Sequence, residues 1–310
     1  MTDMMALRAH TRGGPEQLVY ERAPMPDPRT GEVVVAVHAA GITFAELTWD
    51  PTWTRDGRDR TPIVPSHEVS GAIAEIGPGV MGLRGGDEVY GLIRFDRDGA
   101  AAQYVSVPAA DLVRKPTTVP HTQTAALPLA GLTAWQALVD HAAVRPGERV
   151  LVHGGAGGVG SFTVQLAKHL GAVVTATARP ADADFVRELG AERVLDFERF
   201  DADDEEYDVV VDTASSASPD RSFPVLRRGG RLITLQAPAS EDEAQRHGVK
   251  ATFFIVSPNA DELSELASLV DKGKLRITVA ETFPLAEGRA AYERGAEHGR
   301  PPGKTVLVVR

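Results

Sequence analysis

The sequence predicts an α/β protein, a doubly wound parallel sheet preceded by a β-rich region broken by turns. Residues 149–160, RVLVHGGAGGVG, run from apolar and β-branched positions straight into glycines, and SFTVQLAKHL then takes up helical periodicity. From there to residue 256, strand-like and helix-like patterns alternate, the signature of parallel crossover units. Before about residue 120, by contrast, short alternating runs are separated by PMPDPRTG and GPGVMGLRGGD.

Taken in order, strands are expected at 18–21, 32–39, 68–76 and 88–92, with turns at Gly77–Gly79 and Gly85–Asp87. Residues 49–62, WDPTWTRDGRDRTP, read as a polar loop. A helix is expected after Pro128. The alternation then predicts strand 149–153, helix 158–170, strand 172–178, helix 181–189, strands 193–196 and 207–213, helix 219–227, and strands 230–235 and 249–256. The acidic run 201–208 reads as solvated surface. A helix over 261–272 ends at Gly273, and strand-like segments follow at 275–280 and 305–309, the last expected to return to the first region.

At 310 residues the chain has room for two domains, with 25% charged and 43% hydrophobic residues as in ordinary globular proteins. The net charge of -10 and the lack of a basic stripe argue against a nucleic-acid partner. With no cysteine, disulfides, thiolate nucleophiles and cysteine-ligated zinc are excluded. The opening residues MTDMMALRAH do not resemble a secretory signal, and no apolar run is long enough to span a bilayer. A soluble cytoplasmic protein is expected.

A strand that turns through glycines into a helix gathers unpaired N–H groups and the positive end of a helix dipole at one point, which binds phosphate. Gly155, Gly157 and Gly160 fit G-x-G-x-x-G, and the following strand falls where a dinucleotide site needs it. At the end of that second strand, a carboxylate accepts from a ribose 2′-OH, whereas a 2′-phosphate needs room and a cation. Thr177, Ala178 and Arg179 stand there without a carboxylate, and Arg179 can pair a phosphate. NADPH is therefore expected over NADH, with Asp182 and Asp184 read as caps of the next helix.

The chain also resembles the medium-chain dehydrogenase/reductase superfamily, in its zinc-free quinone oxidoreductase branch. The resemblance runs through GPEQLVYERAPMPDP, GEVVVAVHAAGITFAEL, VPSHEVSGAIAEIGPGV, GDEVYGL, LPLAGLTAWQAL, VLVHGGAGGVG, DVVVDTASS, GGRLITL, LVDKGKLRITVAETFPLAEGRAAYE and GKTVLVV. It implies a Rossmann sheet inserted in a GroES-like β-rich substrate domain, with the active site in the cleft between them. The corresponding domains are 1–120 plus 257–310, and 121–256. By the same resemblance Gly155, Ala156, Gly157, Gly158 and Val159 form the pyrophosphate loop. Thr213, Ala214, Phe254, Ile255 and Lys304 match further cofactor contacts, with a surface lysine as the other account of Lys304. A homodimer is implied too, and the apolar run Ala251–Val256 would offer it a sheet edge.

Zinc enzymes of this superfamily place three ligands where this chain has Thr43, His67 and about Leu129. One candidate in three does not make a catalytic zinc site, so no metal is expected, and His67 and Glu68 read as structural. Without a Lewis acid, a quinone or α,β-unsaturated carbonyl is the easier hydride acceptor, because the charge moves onto an oxygen that hydrogen-bond donors can hold. Thr43 is the first choice of donor, a local turn hydrogen bond being its other explanation, and Thr133 resembles the residue beside the nicotinamide ribose and carboxamide. Glu46 would be a general acid only if buried, and reads as a surface residue. Trp49, Trp53 and Tyr90 are core or pocket lining. The competing readings are an enoyl-type reductase of a biosynthetic intermediate and a non-catalytic NADPH-binding structural protein.

Overall fold

The computed structural model describes residues 3–197, 200, 206–214 and 219–310. The chain divides into two compact units, residues 1–129, 257–272 and 277–310 in the first, and 130–256 with 273–276 in the second. Residues 201–205 of the acidic run lie outside the described residues. Among the described residues, no helix is long and apolar enough to cross a membrane.

The first unit is built on a seven-stranded sheet. Its order is Val279–Pro284, Lys304–Val308, Glu32–Gly41, Glu68–Ile76, Glu88–Leu92 and Leu112–Arg114, with Tyr104–Pro108 also paired to Glu32–Gly41. Alternation in VVVAV and its partners sends Val33, Val35, Val37, Val69, Ile73, Val89 and Leu307 into one apolar core. The C-terminal strand does return here: Val306 pairs with Gly41 and Val308 with Ala39, antiparallel. A helix, Ala260–Asp271, is capped by the Asn259 side chain, which accepts from the N–H groups of Asp261 and Glu262.

Residues 49–62 are not an irregular loop. A helical turn, Asp50–Trp53, leads into a hairpin, Thr54–Arg55 against Arg58–Asp59. The left-handed φ of Asp56 (51°) and Gly57 (72°) suits a tight two-residue hairpin turn. Trp53 is buried and its indole donates to Leu47 O at 2.8 Å, so it is core.

The second unit carries six parallel strands in the order Arg193–Asp196, Val173–Ala178, Arg149–His153, Tyr207–Asp212, Leu226–Thr234 and Lys250–Phe253. Numbered within the sheet this is 3-2-1-4-5-6, the doubly wound arrangement that the alternation predicts. Two elements differ. The helix expected over 219–227 is a single turn, Pro219–Ser222, because Pro224 cannot continue a helix, and the next strand already begins at Leu226. The last strand stops at Phe253, where its one neighbour also ends at Thr234, leaving Phe254 and Ile255 beyond the ladder.

Candidate functional site

In the second unit, the first strand ends at His153 and the chain turns at Gly154, whose φ is 74°. Gly154 therefore supplies the left-handed turn, one residue before the first glycine of the motif as read from spacing. A Cβ on Gly155 would lie 2.9 Å from that of Ala176, and one on Gly160 would overlap the Gly154 carbonyl oxygen. The helix Gly158–His169 thus starts hard against the strand end, with Gly157 at its N-cap and leading N–H groups that no helical carbonyl accepts. This cradle of glycines and free donors fits a dinucleotide pyrophosphate.

Two threonines brace the turn. Thr177 is fully buried and its hydroxyl accepts from Gly154 N at 3.1 Å, while Gly155 N donates to Thr177 O at 2.9 Å. Thr213 donates to His153 O at 2.5 Å. Ala178 is buried, and Arg179 is exposed with both Nε and a terminal nitrogen 2.6 Å from Asp182. Asp182 does not cap the helix with its side chain, as sequence reading expects; it is spent on Arg179. Ala214 follows the fourth strand, its N–H bonded to Asp212. Thr133 is buried, the Phe254 ring packs on His141 at 4.2 Å, and Ile255 is exposed.

Sequence reasoning missed His153 and Asp212. His153 is buried with its ring nitrogens on Ser222 Oγ (3.1 Å) and Thr177 Oγ1 (3.4 Å). Burial, helped by the Arg221 charge, holds its imidazole down to about 3. Burial likewise pushes the Asp212 carboxyl up to about 6. A polar residue ending an apolar strand was the only local signal for either.

In the first unit, Thr43 is half-buried and its hydroxyl oxygen accepts from Lys304 Nζ at 3.1 Å, not from a local turn. Lys304 is buried, not a surface lysine, and its ammonium also forms a short ion pair with Glu68 Oε2. Glu68 accepts from Leu129 N with its other oxygen at 3.0 Å. Burial drives the Glu68 carboxyl up, against the opposing pull of the Lys304 ammonium. Glu46, read from sequence as a surface residue, is 1% exposed. It accepts from Tyr292 OH at 2.5 Å and Ser66 N at 3.0 Å, and it bonds His67 Nδ1 at 2.7 Å. His67 Nε2 is buried without a hydrogen-bond partner among the described residues, under the edge-on ring of Phe95. Trp49 packs on the same Phe95 ring, and Tyr90 is buried with its hydroxyl donating to Leu263 O.

These residues do not fit a catalytic zinc. Leu129 offers no side-chain donor, the Thr43 oxygen already faces an ammonium, and His67 shares no metal-holding cluster. Among the described residues no group of three His, Cys, Asp or Glu is arranged to hold an ion.

Two family models match the chain, one described as Alcohol dehydrogenase GroES-like domain over residues 29–117 and one as Zinc-binding dehydrogenase over residues 183–307. The quinone oxidoreductase of Coxiella burnetii superimposes with a TM-score of 0.91 at 30% identity, covering 100% of both chains. The CurK enoyl reductase does so with a TM-score of 0.87 at 26% identity, over 99% of both. The Spectinabilin polyketide synthase system protein NorB of Streptomyces orinoci is 36% identical over 298 residues, 90% of this chain. The chain spans only 13% of that protein's length.

Proposed function

Because the chain belongs to the quinone oxidoreductase branch of the medium-chain dehydrogenase/reductase superfamily, we propose that it reduces a quinone or an α,β-unsaturated carbonyl with NADPH and without a metal. Bound NADPH supplies the hydride. Gly155, Ala156, Gly157, Gly158 and Val159 hold its pyrophosphate, with Thr177 and Thr213 keeping that loop in shape. Ala178 and Arg179 would hold the 2′-phosphate end of the cofactor. Ala214, Thr133, Phe254 and Ile255 would hold the nicotinamide half.

One observation carries the reading of the chemistry. The Thr43 oxygen is occupied by the Lys304 N–H, at a position that the family resemblance matches to the first ligand of zinc relatives. The hydroxyl proton has no acceptor among the described residues, so it is available to the acceptor oxygen on which charge develops.

The test is NADPH consumption by chelator-treated protein, followed with 1,4-benzoquinone, 9,10-phenanthrenequinone and a panel of enones. Turnover that survives chelation supports the reading. Turnover that needs restored zinc, or tight NADPH binding with no turnover on any acceptor, overturns it, the latter in favour of a binding protein.

Similarity to NorB and to the CurK enoyl reductase favours a second reading, an enoyl-type reductase of a biosynthetic thioester. An α,β-unsaturated acyl thioester of N-acetylcysteamine in the same panel separates the two by relative kcat/KM. A homodimer is proposed through the edge strand Lys250–Phe253, and a monomer in sedimentation at micromolar concentration would remove it.

A further inference from the structure

Lys304 is buried beside one carboxylate and one hydroxyl, a costly place for an ammonium. A pair kept only for stability is replaced by apolar side chains at little loss or with gain, so its position asks for a use. The backbone fixes that position from two sides. Ile42 N donates to Thr305 O at 3.0 Å, which sets Thr43, two residues past the end of the strand Glu32–Gly41, beside Lys304 on the neighbouring strand. Gly41 leaves room for Glu68, since a Cβ there would stand 2.9 Å from Glu68 Oε2. The other charged and titratable groups nearby in the same unit, Glu46, His67 and Tyr292, are bonded to one another and not to Lys304.

We propose that Lys304 is the proton source of the reduction, acting through Thr43 with Glu68 as its fixed counter-ion. This rests on the reading of Thr43 as donor to the acceptor oxygen. A threonine hydroxyl alone is a poor acid, because giving up its proton leaves an alkoxide. Here the oxygen receives a proton from Lys304 Nζ as it releases its own. The acceptor gains a hydride at carbon, a π electron pair moves onto its oxygen, and that oxygen takes the Thr43 proton. Thr43 Oγ1 is restored by the ammonium proton, and the amine of Lys304 is recharged from water by the reverse path. One hydride, which bound NADPH would supply, and one proton are added in all. Lys304 is thus a positioning and supply residue, and it touches Thr43 and Glu68.

The experiment compares wild type, Thr43→Val, Lys304→Met with Glu68→Gln, and the triple variant, on a quinone or enone that wild type reduces. The paired substitution avoids leaving Glu68 buried and uncompensated, and urea denaturation checks that it folds. Its kcat is expected to fall about a hundredfold, as when a donor to a developing oxyanion is removed, with the NADPH dissociation constant within about twofold of wild type. The triple variant is expected to be no slower than Thr43→Val, because both changes cut one chain. A kcat within about twofold of wild type in the folded pair variant overturns the proposal. So does a loss that multiplies fully with that of Thr43→Val, or one that appears in NADPH binding instead of kcat. Absence of turnover in wild type on every acceptor strikes the functional reading itself, and is told apart from these by that fact.

Discussion

Glu46 and His67 are hydrogen-bonded at 2.7 Å inside the β-rich unit, each with a side chain 1% exposed. The Glu46 carboxylate also holds Tyr292 OH and Ser66 N, so one acid bonds three buried groups from two separate segments, Ser66-His67 and the helix that carries Tyr292. Glu46→Ala strands all three and is expected to cost about 3–5 kcal/mol of unfolding free energy. Tyr292→Phe removes one donor and should cost about 1–2 kcal/mol. Urea denaturation checks both, and a cost below about 0.5 kcal/mol for Glu46→Ala would show that these bonds do not hold the unit together.

The nucleotide turn makes a sharper steric prediction. Gly31 and Gly154 share a left-handed φ, 79° and 74°, but only Gly154 has neighbours a Cβ would approach. Gly160→Ala would drive a methyl into the Gly154 carbonyl and should weaken NADPH binding more than tenfold, read by titration of cofactor fluorescence. Gly31→Ala strains its own turn by about 1–2 kcal/mol and should leave NADPH affinity unchanged. Equal affinity in wild type and Gly160→Ala would dissociate the close helix–strand packing from cofactor binding.

Legibility in the sequence followed sequence distance. The six-stranded sheet and its glycine turn were readable because strand, turn and helix are adjacent in RVLVHGGAGGVG and the alternation repeats. The return of the last strand is the exception, a distant pairing that was readable because that apolar run does not easily extend the parallel sheet. By contrast, Lys304 and Glu68 are separated by 236 positions, and Glu46 and Tyr292 by 246, so no local pattern announces either contact. Burial of Glu46 was invisible for the same reason, since its partners come from elsewhere in the fold. Residues 49–62 misled through composition: polar residues and two prolines suggested an irregular loop, while Asp56-Gly57 was itself a hairpin signal.

Opposite pH dependences are expected from His153 and Asp212. His153 is held down to about 3 in the fold, below the ordinary 6.5. The unfolded chain takes up its proton first, so the stability contribution is whole above about pH 6.5 and is lost as pH falls toward 3. At about pH 4.5 the loss is about 2–3 kcal/mol, and His153→Gln should flatten this acid limb.

Asp212 is pushed up to about 6 from the ordinary 3.8, so its contribution is whole below about 3.8 and is lost as pH rises through about 6. Asp212→Asn keeps an acceptor for Ala214 N without the buried charge. It should add about 1–3 kcal/mol at about pH 8 and nothing near pH 4. Urea midpoints across pH read both effects, and parallel curves for wild type and variant would refute each.

If the chain takes NADPH as proposed, cofactor preference should turn on Arg179 and Asp182, which lie 2.6 Å apart. A 2′-phosphate gains the guanidinium but also meets the carboxylate beside it, whereas a ribose 2′-OH can use Asp182 as acceptor. The pair therefore sets a ratio, and each half should move it in the opposite direction. Arg179→Ala is expected to lower NADPH affinity about tenfold and to leave NADH within about twofold. Asp182→Asn removes the repulsion and should raise NADPH affinity about threefold while weakening NADH. Because Arg179 is exposed, added salt should shrink the wild-type NADPH/NADH ratio and leave that of Arg179→Ala nearly flat. Isothermal titration of both cofactors measures all of these. Equal wild-type dissociation constants, or an Arg179→Ala protein that binds NADPH as wild type does, would remove the preference for the phosphorylated cofactor.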